Sequence, residues 1–312
     1  MQIGIIGLGK MGGNISKKFL KNKYTCYVFD KNRNNIKHIE KRGALGVNSL
    51  KCLVLSLSNP RTILLMLPAG KITEKIILKI TKYMEKGDTI LDGSNGYFKK
   101  DIKRSEQLFI RGINYLDVGV SGGIWGLKRG YCMMIGGNKK IFEKKTTIFF
   151  SLSSDNSKCY MYCGKVGSGH FVKMIHNGIE YGMMQSYAEG FDIIHNINNK
   201  HVFYKHRYNL NIYDISEIWR RGSVIESWLL DLISISLAHD VTLNDFSGKV
   251  NDSGEVRWLV QTALEESMPL DVLTTSLYVR FKSRYNNRYG DKLLSAMRKQ
   301  FGGHIELLYP SS

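Results

Sequence analysis

The spacing of apolar and polar positions changes rhythm once along the 312-residue chain. The first half consists of short apolar runs separated by amphipathic stretches. Residues 3–6 read as a buried strand and lead into a helical pattern that runs to about Leu20, with Ile15, Phe19 and Leu20 on one face. Further strands are expected at Thr25–Phe29, 62–67, Thr89–Asp92, 114–118 and 132–135, with helices at 72–84 and 99–111. Strands that alternate with helices imply right-handed βαβ units in a largely parallel sheet. From Val166 onward the pattern is helical with no clear strand run. The expected division is therefore 1–164 and 165–312, and with no long linker near Gly164 a helix should spring directly from the first domain.

The first turn carries chemistry. Gly7-Leu8-Gly9-Lys10-Met11-Gly12 is G-x-G-x-x-G between a strand and a helix. The first glycine makes the tight turn, and the second lets a pyrophosphate approach the backbone. The third allows close helix–strand packing, with the helix N-terminus facing the anion. Asp30 ends the second strand about 20 residues on, where a carboxylate binds adenosine ribose hydroxyls. Gly7, Leu8, Gly9, Met11, Gly12 and Asp30 are thus the expected dinucleotide-binding set. The fold class is α/β, a Rossmann-type doubly wound parallel sheet followed by an all-α C-terminal domain. Asp30 would repel a 2′-phosphate and favours NAD. Lys31 and Arg33 directly after it could offset that repulsion, which leaves NADP compatible.

A second signal lies in Lys173–Tyr181 (K-M-I-H-N-G-I-E-Y). On a helix, Lys173, His176, Asn177 and Glu180 fall on one face, presenting an amine, an imidazole, an amide and a carboxylate. That set supplies a general base, a general acid and two orienting groups for proton transfer. Phe171, Val172, Met174, Ile175 and Ile179 would cover the remaining faces, so the helix is expected to be buried nearly all round.

Composition alters this picture little. Lys and Arg total 45 against 27 Asp and Glu, a net +18. Such a charge alone suggests nucleic acid or an anionic membrane. Here the basic residues are scattered rather than gathered in one arm, so nucleic acid is disfavoured as a partner. The five cysteines, Cys26, Cys52, Cys132, Cys159 and Cys163, are read as free thiols, and no metal site is expected. No apolar run reaches about 18 residues, and the first strand begins at once, so a cytoplasmic protein without a membrane span is expected.

Several segments together resemble 6-phosphogluconate dehydrogenase, the decarboxylating member of the β-hydroxyacid dehydrogenases, in its short bacterial-type form. They are G-L-G-K-M-G, L-P-A-G (67–70), D-G-S-N-G (92–96), D-V-G-V-S-G-G-I-W-G (117–126) and M-M-I-G-G (133–137). G-K-V-G-S-G-H-F-V-K-M-I-H-N-G-I-E-Y-G (164–182), I-W-R-R-G-S-V-I (218–225) and R-K-Q-F-G-G-H (298–304) complete the set. The resemblance implies oxidative decarboxylation of 6-phosphogluconate to ribulose 5-phosphate and carbon dioxide with reduction of NAD(P), in the pentose phosphate pathway and gluconate utilisation. It makes Lys173 the base at the C3 hydroxyl and Glu180 the acid that protonates C1 of the enediol left after decarboxylation. Asn95 would lie between nicotinamide ribose and substrate, with Leu67 beside the cofactor. Ser121, Gly122 and Gly123 would meet the substrate carboxylate, His176 and Asn177 its hydroxyls, and Tyr181 its phosphate. Arg298 and His304 would reach a neighbour's site, implying a homodimer or homotetramer completed by the C-terminal segment.

Three positions depart from the family pattern. Glu226 stands where an arginine for the substrate phosphate is expected, with Arg220, Arg221 or Arg257 as compensating candidates. Met183 replaces an aspartate, and Ser94 and Gly96 alter the loop around Asn95. Two alternatives follow: a β-hydroxyacid dehydrogenase of the 3-hydroxyisobutyrate type or with non-phosphorylated gluconate as substrate, and a catalytically weak nucleotide- or nucleic-acid-binding protein.

Overall fold

A computed structural model describes residues 1–154 and 158–285. Eight strands form one sheet: β1 (Gln2–Ile6), β2 (Thr25–Phe29), β3 (Leu45–Gly46), β4 (Thr62–Leu65), β5 (Thr89–Asp92), β6 (Asn114–Ser121), β7 (Cys132–Gly137) and β8 (Tyr160–Gly164). Their order is β3-β2-β1-β4-β5-β6-β7-β8. Every pairing is parallel except β6 with β7, where Ser121 stands opposite Cys132. The helices of this part are α1 (Lys10–Lys21), α2 (Arg33–Glu40), α3 (Leu50–Leu55), α4 (Lys71–Ile80), α5 (Phe98–Phe109), α6 (Gly126–Arg129) and α7 (Lys139–Leu152).

Apolar side chains cover both faces of the sheet, as a parallel sheet requires. Phe19 of α1 and Phe142 and Phe149 of α7 join Ile3, Ile5 and Val28 on one face. Leu53 of α3, Ile77 of α4 and Leu108 of α5 join Ile6, Ile63 and Leu65 on the other. This is the doubly wound α/β layer that the alternating pattern implies.

Local chemistry moves several boundaries. β4 stops at Leu65 rather than 67 because the chain turns through Pro68 and Gly70 (φ 94) into α4. That helix ends at Ile80, short of the expected 84. β6 and β7 run on to Ser121 and Gly137, beyond the expected 118 and 135, because they pair with each other along that length.

α8 (Ser168–Asn196) is 29 residues long. Packing divides the chain within it, into Met1–Asn177 and the part from Gly178 on. The reason is local: the first turns of α8 lie against sheet backbone. A Cβ built on Gly169 would stand 2.4 Å from the Met134 carbonyl oxygen and 2.6 Å from that of Asp117. The expectation that α8 is buried nearly all round does not hold. Phe171, Val172 and Ile179 are 36%, 37% and 51% exposed, whereas Lys173 and Asn177 are buried. Hydrophobicity did not choose the docking face; the glycine that permits close approach did.

The described residues of the second unit are helical: the rest of α8, then α9 (Ile212–Trp219), α10 (Trp228–His239), α11 (Glu255–Glu265) and α12 (Asp271–Lys282). Phe191, Ile212, Leu230 and Leu237 form one of its cores, and Tyr181, Val256 and Leu277 another. No described helix is long and apolar enough to cross a membrane.

Candidate active site

The glycine loop is held from within. Gly7 sits at φ 94, and a Cβ there would meet the Met66 carbonyl oxygen at 2.3 Å; one on Gly12 would meet the Gly7 oxygen at 1.9 Å. Both positions therefore demand glycine. A Cβ on Gly9, by contrast, would have nothing within 4 Å. That open ground before the N-terminus of α1 fits a pyrophosphate. Asp30 accepts the Leu8 N–H at 2.7 Å through Oδ2 and the Asn32 N–H at 2.7 Å through Oδ1. Its carboxylate thus fixes the loop, and each oxygen keeps a lone pair for a ribose hydroxyl. Leu67 packs beside Gly7, and Met11 packs against the core next to the loop. The Arg33 guanidinium donates to Asn48 Oδ1 at 2.5 Å. The expected dinucleotide set is brought together, and its shape and charge fit the cofactor.

Next to this loop lies a polar cluster built by β6, the 93–96 loop and α8. Asn95 takes the left-handed φ of 52. Its side-chain oxygen accepts the Val120 N–H at 2.9 Å, and its amide donates to the Val120 carbonyl at 3.2 Å. Asn95 thereby docks directly before Ser121. The Ser121 hydroxyl lies 3.3 Å from His176 Nε2, and His176 Nδ1 lies 3.3 Å from Lys173 Nζ and 3.1 Å from Asn177 Oδ1. Amine, imidazole and hydroxyl form a continuous chain. A neutral imidazole has one N–H and one lone pair, so exchanging its tautomers reverses both bonds. The loop carrying Gly122 and Gly123 lies over the buried ring of Tyr131, and the Asn14 side chain of α1 donates to the Ile124 carbonyl at 3.2 Å. Close approach sets the depth of Lys173: a Cβ on Gly119 would stand 2.5 Å from Lys173 Cβ.

Beneath the cluster is a buried ionic lattice that the spacing of residues in the chain does not announce. Arg104 Nη1 donates to Asp92 Oδ2 at 3.0 Å, to Asp101 Oδ1 at 2.7 Å and to the Tyr115 hydroxyl at 2.8 Å. The Tyr115 hydroxyl lies 2.7 Å from Asp92 Oδ2 and 2.8 Å from Asp101 Oδ1. Burial, then the neighbouring carboxylates, push its ionisation well above the usual phenol range. Asp117 accepts the Gly167 and His170 N–H groups at 2.8 and 3.0 Å, which caps the start of α8 with a carboxylate. Burial nonetheless raises the Asp117 pKa. Donor atoms of Asp101, Asp117 and His170 lie within 4.8 Å of one another. Their facing atoms are already spent on hydrogen bonds.

In the second unit the Tyr181 hydroxyl accepts the Ser253 N–H at 3.0 Å and lies 3.2 Å from the Ser253 hydroxyl. The Arg280 guanidinium stacks 3.4 Å over the Tyr181 ring. It donates to the Asn251 carbonyl and to the Met184 sulfur, and among the described residues it has no carboxylate partner. The compensating candidates are engaged elsewhere. Arg220 pairs with Glu217 and Asp231, Arg221 with Glu217, and Arg257 with Asp252. Glu226 accepts the Gly222 N–H at 3.0 Å and so closes its own turn. Arg280 is the cation that sequence reasoning missed; it lies 99 residues from Tyr181, and nothing in local spacing links them. Glu180 is half-buried on α8, and Met183 is exposed. Arg298 and His304 lie outside the described residues.

The profile of the NAD binding domain of 6-phosphogluconate dehydrogenase matches residues 2–164, and that of the 6-phosphogluconate dehydrogenase C-terminal domain matches 169–202 and 186–307. A Haloferax volcanii protein named 6-phosphogluconate dehydrogenase, NAD(+)-dependent, decarboxylating is 32% identical over 305 residues, covering 97% of this chain and 98% of that protein. The decarboxylating 6-phosphogluconate dehydrogenase of Escherichia coli K12 is 32% identical over 323 residues, 97% of this chain and 66% of that one. Among solved structures, Plasmodium falciparum 6-phosphogluconate dehydrogenase matches all of this chain and 67% of its own, with a TM-score of 0.81 and 27% identity. A Mycobacterium tuberculosis 3-hydroxyisobutyrate dehydrogenase shares the fold, with a TM-score of 0.71 at 15% identity over 90% of this chain and 92% of that one.

Proposed function

The chain belongs to the 6-phosphogluconate dehydrogenase family, and we propose that it converts 6-phosphogluconate to ribulose 5-phosphate and carbon dioxide while reducing NAD or NADP. The observation that carries this reading is the buried Lys173 amine, joined through His176 to Ser121 beside Asn95. A bound nicotinamide supplies the hydride acceptor. Lys173, as a neutral amine, takes the proton of the C3 hydroxyl as C3 is oxidised. The resulting C3 ketone, β to the carboxylate, accepts through C2 the electron pair of the C1–C2 bond as carbon dioxide leaves. Protonated Lys173 then donates to that carbonyl oxygen and stabilises the enolate. Glu180, seven residues on along α8, delivers the proton to C1 of the resulting enediol, the former C2 of the substrate, giving ribulose 5-phosphate. His176 and Asn177 hold substrate hydroxyls, and Ser121 with the amides of Gly122 and Gly123 holds the carboxylate.

The same reading gives the phosphate to Tyr181, Ser253 and Arg280, with Asp252 steadying the 250–253 loop by accepting from Arg257 and Arg284 at 2.8 and 2.6 Å. A planar guanidinium stacked on an aromatic ring presents its N–H edge to an anion. Glu226 is turned to its own backbone and need not oppose that phosphate. Arg298 and His304 are proposed to complete the site of a second copy in a homodimer or homotetramer, and the reaction to run in the cytoplasm.

The deciding experiment follows reduced-nicotinamide absorbance and carbon dioxide release with 6-phosphogluconate, in NAD and NADP separately. Stoichiometric release supports the proposal, and the ratio of rates reports what Asp30 does. Turnover of 3-hydroxyisobutyrate or gluconate, with 6-phosphogluconate inert, would overturn it.

A further inference from the structure

We infer that His170 is a positioning residue: a buried imidazolium that ties the loop presenting Asn95 to the helical turn presenting Lys173. The inference rests on the reaction proposed above. His170 is 1% exposed, and both ring nitrogens face acceptors. Nδ1 lies 2.7 Å from Asp101 Oδ2, and Nε2 lies 3.0 Å from the Asp92 carbonyl oxygen. A carboxylate and a backbone carbonyl offer lone pairs only. Both nitrogens therefore carry hydrogen, and the ring is a cation. A neutral ring would set a nitrogen lone pair against an oxygen lone pair inside a dry site.

The surroundings agree. Burial lowers the imidazole pKa, and the carboxylates of Asp101, Asp92 and Asp117 more than offset this, raising it to about 9. Charged and titratable neighbours come from every packed element. β5 supplies Asp92, α5 supplies Asp101 and Arg104, and β6 supplies Tyr115 and Asp117. Glu74 of α4 reaches Arg104 at 3.9 Å, and Lys173 and His176 follow on α8 itself. Without the imidazolium, three buried carboxylates would face a single guanidinium.

Two segments meet at this ring. The Asp92 carbonyl opens the 93–96 loop; Ser94 N–H donates to Asp92 Oδ1, and Asn95 follows at φ 52. A Cβ on Gly96 would stand 3.6 Å from His170 Nδ1, so the loop also lies against the ring. On α8, His170 precedes Lys173 by three residues, one turn on the same face. Its own N–H donates to Asp117. The ring is buried and acts through Lys173 and Asn95, not on substrate.

The test measures kcat and KM from below pH 6.5 to above pH 9 for the unsubstituted protein, Asp101→Asn and His170→Gln. It is paired with NADH affinity and the 15N spectrum of the imidazoles. We expect kcat to fall as pH rises through about 9. Asp101→Asn should move that fall to lower pH, because it removes the cation's partner. His170→Gln should abolish the fall and lower kcat by roughly tenfold to a hundredfold, with the NADH Kd unchanged. A purely structural histidine would lower the active fraction and leave the shape of the profile alone. The same fall in all three proteins, or an unchanged kcat in His170→Gln, would overturn the inference. If His170→Gln fails to fold, a buried imidazole that is neutral at pH 7 in the unsubstituted protein overturns it equally. If the unsubstituted protein does not turn over 6-phosphogluconate, the functional reading fails by itself, and the 15N spectrum still decides whether His170 is a cation.

Discussion

Replacing Gly119 with alanine tests whether close packing of α8 on β6 sets the position of the base. The added methyl would stand 2.5 Å from Lys173 Cβ, 2.8 Å from the Gly169 carbonyl oxygen and 3.2 Å from Lys173 Cγ. Ordinary contact begins at 3.4 Å, so Lys173 must retreat by 0.9 Å or more. Two of the three obstructing atoms are Cβ and backbone, which cannot swing aside as a side-chain end would. Overpacking of this kind costs about 1–3 kcal/mol of stability. A misplacement of about 1 Å at the reacting groups costs on the order of a hundredfold in rate. We therefore expect Gly119→Ala to fold with a modestly lowered Tm and to lose about two orders of magnitude in kcat. NADH affinity should hold, since the glycine loop lies on β1 and α1. A kcat within threefold of the unsubstituted enzyme, with the helix intact by circular dichroism, would refute the argument that backbone contact fixes Lys173.

Three further outcomes follow from the geometry. Lys173→Met should abolish oxidation and leave NADH binding by fluorescence nearly unchanged; joint loss of both would make Lys173 structural. Arg280→Ala should raise KM for 6-phosphogluconate by on the order of tenfold or more, the loss of a charge-assisted hydrogen bond worth about 1.5–3 kcal/mol. It should leave any slow turnover of unphosphorylated gluconate unaffected; equal damage to both substrates would remove Arg280 from the phosphate. The pKa of His170 rises on folding from 6.5 to about 9, so the folded state binds the proton more tightly. That contribution is fully present below pH 6.5 and is lost as pH rises through 9, on the order of 3 kcal/mol in all. Urea unfolding at the two ends of this range should show the loss, and His170→Gln should flatten it; equal slopes would contradict the linkage.

What could be read from sequence was what is local. The glycine loop and Asp30 are legible because strand, turn and helix follow one another within a few residues, and the helical period alone gathers Lys173, His176 and Asn177. The lattice under them is not legible: His170 meets Asp101 across 69 residues and Asp92 across 78. No period connects such positions, and an aspartate in a strand end looks the same whether it faces water or an arginine. Arg280 escaped for the same reason, while Glu226 drew attention by its position in a motif, although its carboxylate serves its own turn. β3, two residues long, offers no hydrophobic run to read. The exposed Phe171, Val172 and Ile179 show the converse error, in which apolar letters were taken as a sign of burial when Gly169 and Gly119 determine which side of α8 can touch the sheet.

The two hydrogen bonds that Asp30 accepts have a consequence for how the protein meets its cofactor. Because Leu8 and Asn32 are secured by the same carboxylate, the chain itself meets the entropic cost of shaping the loop during folding rather than at each binding event. Such a site works as a socket, not a glove. Capture should therefore be governed by diffusion and charge, with cofactor exchange between turnovers needing no refolding of the loop. The arrangement also makes Asp30 hard to replace in evolution, since a change of nucleotide preference there would disturb the socket before it altered the choice of guest.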